Sequence, residues 1–142
     1  MERTEQQGPA SGVTPHLSIP DRRGTEAVAF YIAAFGAREL ARMPSEDGRL
    51  LHAHLAVNGG SLMLHDEFPE YVGADHPTGP YNGVTLHLQV TDADGIWKQA
   101  LDSGASVEMA LQDQFWGDRY GVLRDPFGHR WSIGAPTAAP AA

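Results

Sequence analysis

His16-Leu17-Ser18-Ile19-Pro20-Asp21 and His87-Leu88-Gln89-Val90-Thr91-Asp92 are two copies of one pattern, His-Leu-x-(Ile/Val)-x-Asp. Apolar and polar residues alternate in both, so each reads as a strand with its aspartate where the strand ends. Around the second copy, Val84, Leu86, Leu88 and Val90 fall on one side, and Thr85, His87, Gln89 and Thr91 on the other. In the first copy, Leu17 and Ile19 share a side, opposite Thr14, His16 and Ser18.

The stretch after each copy also repeats. Ala27, Phe30, Tyr31, Ala34 and Phe35 fall at helical spacing, as do Ala93, Ile96, Trp97, Ala100 and Leu101. Thr25 is placed to cap the first helix and Asp92 the second. Gly36 and Gly104 then supply left-handed stops. Three strand-like runs come next in each half: Arg38–Met43, Arg49–Val57 and Ser61–Asp66, then Ser106–Leu111, Asp118–Asp125 and His129–Gly134. The turns between them carry Asn58-Gly59-Gly60 and Pro126-Phe127-Gly128, residues that supply the backbone angles of tight reversals. The order βαβββ, twice, predicts an α+β fold: an open, cup-shaped mixed sheet with the helices on its outer face. The expected layout is a flexible tail over 1–12, a single domain over 13–134 and a second tail over 135–142. Within that domain, 13–66 form the first unit, 67–82 a Pro- and Gly-rich linker and 83–134 the second unit.

If the apolar sides pack on the helices, the polar sides look into the concavity. Ser61, Met63 and His65 share that side in the first half; Arg130, Ser132 and Gly134 share it in the second. Four strands then offer polar or mixed side chains to one small-molecule site. The competing reading is a merely wetted sheet face, common in antiparallel sheets.

Composition excludes several function classes. No apolar run approaches the roughly 20 residues of a membrane span. Met1 to Gly12 lacks the apolar core of a secretory signal, so a cytoplasmic location is expected. Without cysteine there is no disulfide, thiolate ligand or cysteine nucleophile. A net charge of −8 argues against nucleic acid and suits a neutral or cationic ligand. Ser132 has no Gly-x-Ser-x-Gly elbow around it, and Asn58-Gly59-Gly60 is a hairpin turn rather than a phosphate loop.

Ala29-Phe30-Tyr31 with Phe35-Gly36-Ala37, Gln114-Phe115-Trp116-Gly117-Asp118-Arg119, and Asp125-Pro126-Phe127-Gly128-His129-Arg130-Trp131-Ser132 together resemble the glyoxalase/bleomycin-resistance/dioxygenase fold, the vicinal oxygen chelate superfamily. The likeness is nearest to its PhnB-like branch and covers about residues 13–134. In metal-dependent members of that family, one ligand comes from each of four strands, usually His, Glu, His, Glu, and the metal polarises two vicinal substrate oxygens. By resemblance those positions fall here on Thr14, Met63, Thr85 and Ser132, none of them a good ligand, so no resident metal is expected. His16, His65 and His87 stand two residues further along, and a divalent metal would have to use them in a shifted register. The fourth strand then offers only Gly134.

The expected cup residues are therefore Thr14, His16, Met63, His65, Thr85, His87 and Ser132, with Trp116 and Arg119 as a rim that stacks and charge-pairs a flat ligand. A structural salt bridge is the other reading of Asp118 and Arg119. His52 and His54 share one face of their strand, His76 lies in the linker and His129 in a turn; Trp97 and Trp131 fall on apolar faces. Two functions remain open. One is a small-molecule-binding protein without the usual metal. The other is a lyase, isomerase or dioxygenase that uses His16 or His87 as base or as metal ligand. Open sheet edges, and the habit of the resembled family, lead us to expect a homodimer.

Overall fold

In the computed structural model, the described residues are 7–72 and 79–137. They fall into two compact units, Met1–Gly79 and Pro80–Ala142. The first contains β1 (His16–Ile19), α1 (Gly24–Phe35), β2 (Arg38–Pro44), β3 (Leu50–Val57), β4 (Gly60–Asp66) and a one-turn helix, α2 (Pro69–Val72). The second contains β5 (Thr85–Gln89), α3 (Ala93–Ser103), β6 (Ser106–Asp113), β7 (Asp118–Arg124) and β8 (Arg130–Pro136). Their sheets run β1-β4-β3-β2 and β5-β8-β7-β6. In each, the first strand lies parallel to the last while the other pairs are antiparallel, so both sheets are mixed as expected. No helix among the described residues is long and apolar enough to cross a membrane.

The alternation seen in the sequence sets which side is core. In the first unit, Leu17, Ile19, Ala53, Leu55, Leu62 and Leu64 are buried, as are Ala27, Tyr31 and Ala34 of α1. In the second, Leu88, Leu123, Trp131 and Ile133 are buried with Ala93 and Ala100 of α3. Trp97 is only half-buried, its ring over Gly121, where an added Cβ would lie 2.6 Å from Cζ3. Burying a large apolar side chain stabilises by about 1.5–3 kcal/mol. That gain fixes the strand register, because a one-residue slip would turn every such chain outward.

Several boundaries differ from expectation. Strand β1 ends at Ile19, and Asp21 and Arg22 turn the chain with φ of 60° and 61°. Helix α1 starts at Gly24, so Thr25 lies inside it and caps nothing. The cap comes instead from Asp66 at the end of β4: its Oδ1 accepts from the Gly24 amide (2.7 Å) and its Oδ2 from Leu50 (2.6 Å). A side chain at position 24 would put its Cβ 2.4 Å from Oδ2, so only glycine admits this approach. Asp92 caps α3 as expected, accepting from the Gly95 amide at 3.0 Å. Gly36 is left-handed with φ 70°; Gly104 also has positive φ, at 121°, outside the left-handed helical region. Strand β8 runs past Gly134 through Pro136 because Asp118 and Arg119 continue the ladder opposite Pro136 and Ala135.

The expected linker is divided between the units. Pro69–Val72 forms α2, where Glu70 pairs with Arg49, and the Arg49 guanidinium also lies 4.1 Å over the Phe68 ring. Tyr81 and Asn82 are held by the second unit: Arg124 Nη1 donates to the Tyr81 carbonyl and Nη2 to Asn82 Oδ1. His76 lies outside the described residues. Of the expected N-terminal tail, Gly8 is buried and the Gln7 carbonyl accepts from His52 Nε2.

Candidate functional site

On the side of the first sheet facing away from α1, strand alternation gathers histidines. His16 pairs in register with Met63 on β4, and Met63 with His54 on β3. The His16 and His65 rings meet edge-on with centroids 4.8 Å apart, and His52 stands edge-on to His16 at 6.2 Å. His65 Nδ1 donates to the Asp66 carbonyl (2.7 Å), leaving Nε2 as an acceptor 3.4 Å from the Ser18 hydroxyl. His54 is buried, with Nε2 3.0 Å from the Ser61 hydroxyl. The structure therefore brings His16, Met63 and His65 together. Thr14 precedes the strand and is half-buried.

Partial desolvation of its ring, followed by repulsion from His65 and His52, holds the His16 pKa below the usual 6.5. His16 is then neutral at pH 7. Below pH 6.5 the unfolded chain takes up a proton that the folded chain still refuses, so this residue's contribution is fully present above 6.5. It is lost as the pH falls through the window between 6.5 and the lowered folded value. Titration by ¹H NMR is expected to give His16 a midpoint below 6.5 that rises in His65→Ala; an unshifted midpoint in the native chain would contradict this electrostatic account.

The second sheet's corresponding face is organised around His87. Its Nε2 lies 2.8 Å from Gln89 Oε1 and its Nδ1 2.7 Å from the Ser132 hydroxyl. Gln89 Oε1 can only accept, so Nε2 carries the proton and Nδ1 accepts from Ser132. A Cβ at Gly134 would lie 2.9 Å from His87 Cε1, so glycine there makes room for the imidazole. Tyr120 stacks on His87 (5.9 Å, 25°), Trp116 stands against Tyr120 (5.5 Å, 69°), and Phe115 against Trp116 (5.1 Å). Beside this wall a hollow of about 390 Å³ is lined by Thr85, Glu108, Met109, Tyr120, Val122 and Arg130.

The structure thus gathers Thr85, His87, Trp116 and Ser132, but not Arg119. Tyr120 faces the hollow, so its neighbour Arg119 points to the other side of β7, where Asp94 and Asp113 each accept from it at 3.1 Å. The salt-bridge reading of Arg119 holds, with those two partners in place of Asp118. Tyr120 and Glu108 are site residues the sequence reading passed over. Alternation along β7 was the signal for Tyr120; Glu108 lies where β6 shifts register, so no simple period marks it.

The four metal positions do not fit a resident metal. Thr14, Met63, Thr85 and Ser132 offer hydroxyls and a thioether, and the Ser132 hydroxyl is buried and committed to His87. The shifted set fits no better, because both His87 ring nitrogens are already engaged.

Residues 14–133 match the family model described as Glyoxalase/Bleomycin resistance protein/Dioxygenase superfamily. An uncharacterized protein of Mycobacterium tuberculosis (strain ATCC 25618 / H37Rv) is 49% identical over 127 residues, covering 87% of this chain and 74% of that protein. Among solved structures, TioX from Micromonospora sp. ML1 is 25% identical with a TM-score of 0.64, covering 88% of this chain and 99% of its own. The PhnB protein from Bacillus cereus shares the fold at 18% identity, with a TM-score of 0.69 over 88% of this chain and 99% of its own. With a family model covering nearly all of both βαβββ units, the chain belongs to the glyoxalase/bleomycin resistance protein/dioxygenase superfamily.

Proposed function

We infer that this protein binds a small organic molecule without the family's usual metal, and that the open face of the second sheet is where it does so. The observation that carries this is His87, tied through both ring nitrogens to Ser132 and Gln89 and stacked on Tyr120. An imidazole so engaged has no free lone pair for a metal or for proton abstraction. It serves instead as a rigid, flat wall beside a hollow. We place the protein in the PhnB-like branch on its second-half signature, and we expect a cytoplasmic homodimer; sedimentation of the purified chain tests the dimer.

The test is a screen of aromatic fragments against the full ¹⁵N-labelled chain. Binding is expected to move amides of β5, β7 and β8. His87→Ala is expected to weaken binding about tenfold, roughly the loss of one ring contact and its supporting hydrogen bonds. Zinc, nickel and iron content of native protein and variant is expected to be equally low. Stoichiometric metal, lost in His87→Ala, would refute the metal-free reading.

A second reading rests on His16. Its ring nitrogens have no hydrogen-bond partner among the described residues, and it is held neutral by its surroundings. That is the state a general base requires. A metal-free isomerase or lyase would depend on it, and His16→Ala would then abolish turnover while leaving fragment binding on the second sheet intact.

A further inference from the structure

The hollow on the second sheet has an uneven charge distribution. Glu108 accepts from Arg124 Nε (2.5 Å) through one oxygen and from Arg130 Nε (2.9 Å) through the other. The bond from Arg124, then that from Arg130, outweigh desolvation and lower its pKa, so it is anionic at neutral pH. Arg124 has a partner at each of its three nitrogens: beyond Glu108 it donates to the Tyr81 and Gly128 carbonyls and to Asn82. Arg130 is not. Only its Nε is engaged, and both terminal nitrogens are without a protein acceptor among the described residues. Thr85, paired directly with Arg130 in the β5–β8 ladder, likewise has a hydroxyl with no protein partner there.

Two guanidinium groups and one carboxylate leave a single net positive charge, on a fork facing the hollow. The remaining lining is apolar or aromatic: Val122, Met109 and the Tyr120 ring. Resting on the reading that this face binds a small molecule, we propose that it selects an organic monocarboxylate. Its carboxylate is held by the terminal nitrogens of Arg130 and the Thr85 hydroxyl, and its apolar body lies on Val122, Met109 and Tyr120. The fork matches a carboxylate's two oxygens. A dianion would bring its second charge beside the Glu108 carboxylate, and the single net positive charge offsets only one of the two. The acidity of the whole chain, which suits a neutral or cationic ligand, is thus reversed locally.

The probes are phenylacetate, its neutral amide phenylacetamide, and inorganic phosphate, each titrated into the full ¹⁵N-labelled chain. Phenylacetate is expected to move the Thr85, Tyr120 and Val122 amides saturably and to bind about tenfold or more tightly than phenylacetamide, a ratio that falls with added salt. Arg130→Gln is expected to erase that preference and Arg130→Lys to restore part of it. Because Arg130 also binds Glu108, Thr85→Val serves as a second variant: it leaves the ion pair intact and is expected to weaken phenylacetate severalfold. Equal binding of acid and amide at the same amides would overturn the monocarboxylate while leaving the binding face standing. Phosphate displacing phenylacetate with higher affinity would overturn it in favour of a polyanion. No movement with any probe up to about 10 mM would overturn the monocarboxylate, and the fragment screen then decides the binding face itself.

Discussion

Asp66→Ala is expected to destabilise the first unit by about 2–6 kcal/mol, the cost of orphaning two buried backbone donors at roughly 1–3 kcal/mol each. Asp66 is 1% exposed, and its two oxygens hold the Gly24 and Leu50 amides, which are themselves buried. Water cannot easily replace it there, and Ala leaves a cavity as well. Urea denaturation of native chain and variant measures the difference. Asp66→Asn keeps the shape but offers one amino group to a backbone N–H, so it is expected to recover only part of the loss. If Ala and native were equally stable, the long-range cap would have no energetic role.

Asp125→Ala is expected to cost the second unit about 3–5 kcal/mol, with water compensating in part for the half-buried His129 amide. Asp125 Oδ1 accepts from the Phe127 and His129 amides (2.9 and 3.0 Å), shaping the β7–β8 turn. Its Oδ2 accepts from the buried Trp131 indole at 2.9 Å. One residue therefore ties the turn to the core ring beneath it. Loss of the native near-ultraviolet circular dichroism of Trp131 should track the stability loss. Asp125→Asn, which cannot accept through both positions, is expected to fall between native and Ala. Because β8 also carries Arg130 and Ser132, a frayed turn would loosen the ligand face as well.

Strands, helices and their faces were legible because burial follows simple periods: two in Thr85-Leu86-His87-Leu88-Gln89, near 3.6 in Ala27, Phe30, Tyr31 and Ala34. The α1 cap was not, because the carboxyl group that binds Gly24 stands 42 residues further along the chain. The expected rim failed at Arg119 for a different reason. Trp116 lies in the turn before β7, so nearness in sequence said nothing about the face that Arg119 takes inside the strand. Tyr120 follows the same two-residue alternation as the other strands. Glu108 and Met109 reach the hollow where β6 shifts register against β7, and a bulge breaks the period by which a face is read.

Three residues after each strand-end aspartate stands a glycine, Gly24 or Gly95, and each donates its amide to a carboxyl group. The resemblance hides a difference in the order of assembly. Asp92 is three residues from Gly95, so α3 gains its cap as soon as one local turn forms. Helix α1 waits for β4 to lie down beside β1, closing a loop whose entropy must be lost before the cap gives anything back. Two units of one design therefore differ in how far along the chain the helix cap must reach. The second is expected to have a helix start that needs only local contacts, while the first is expected to consolidate its helix start when its last strand arrives.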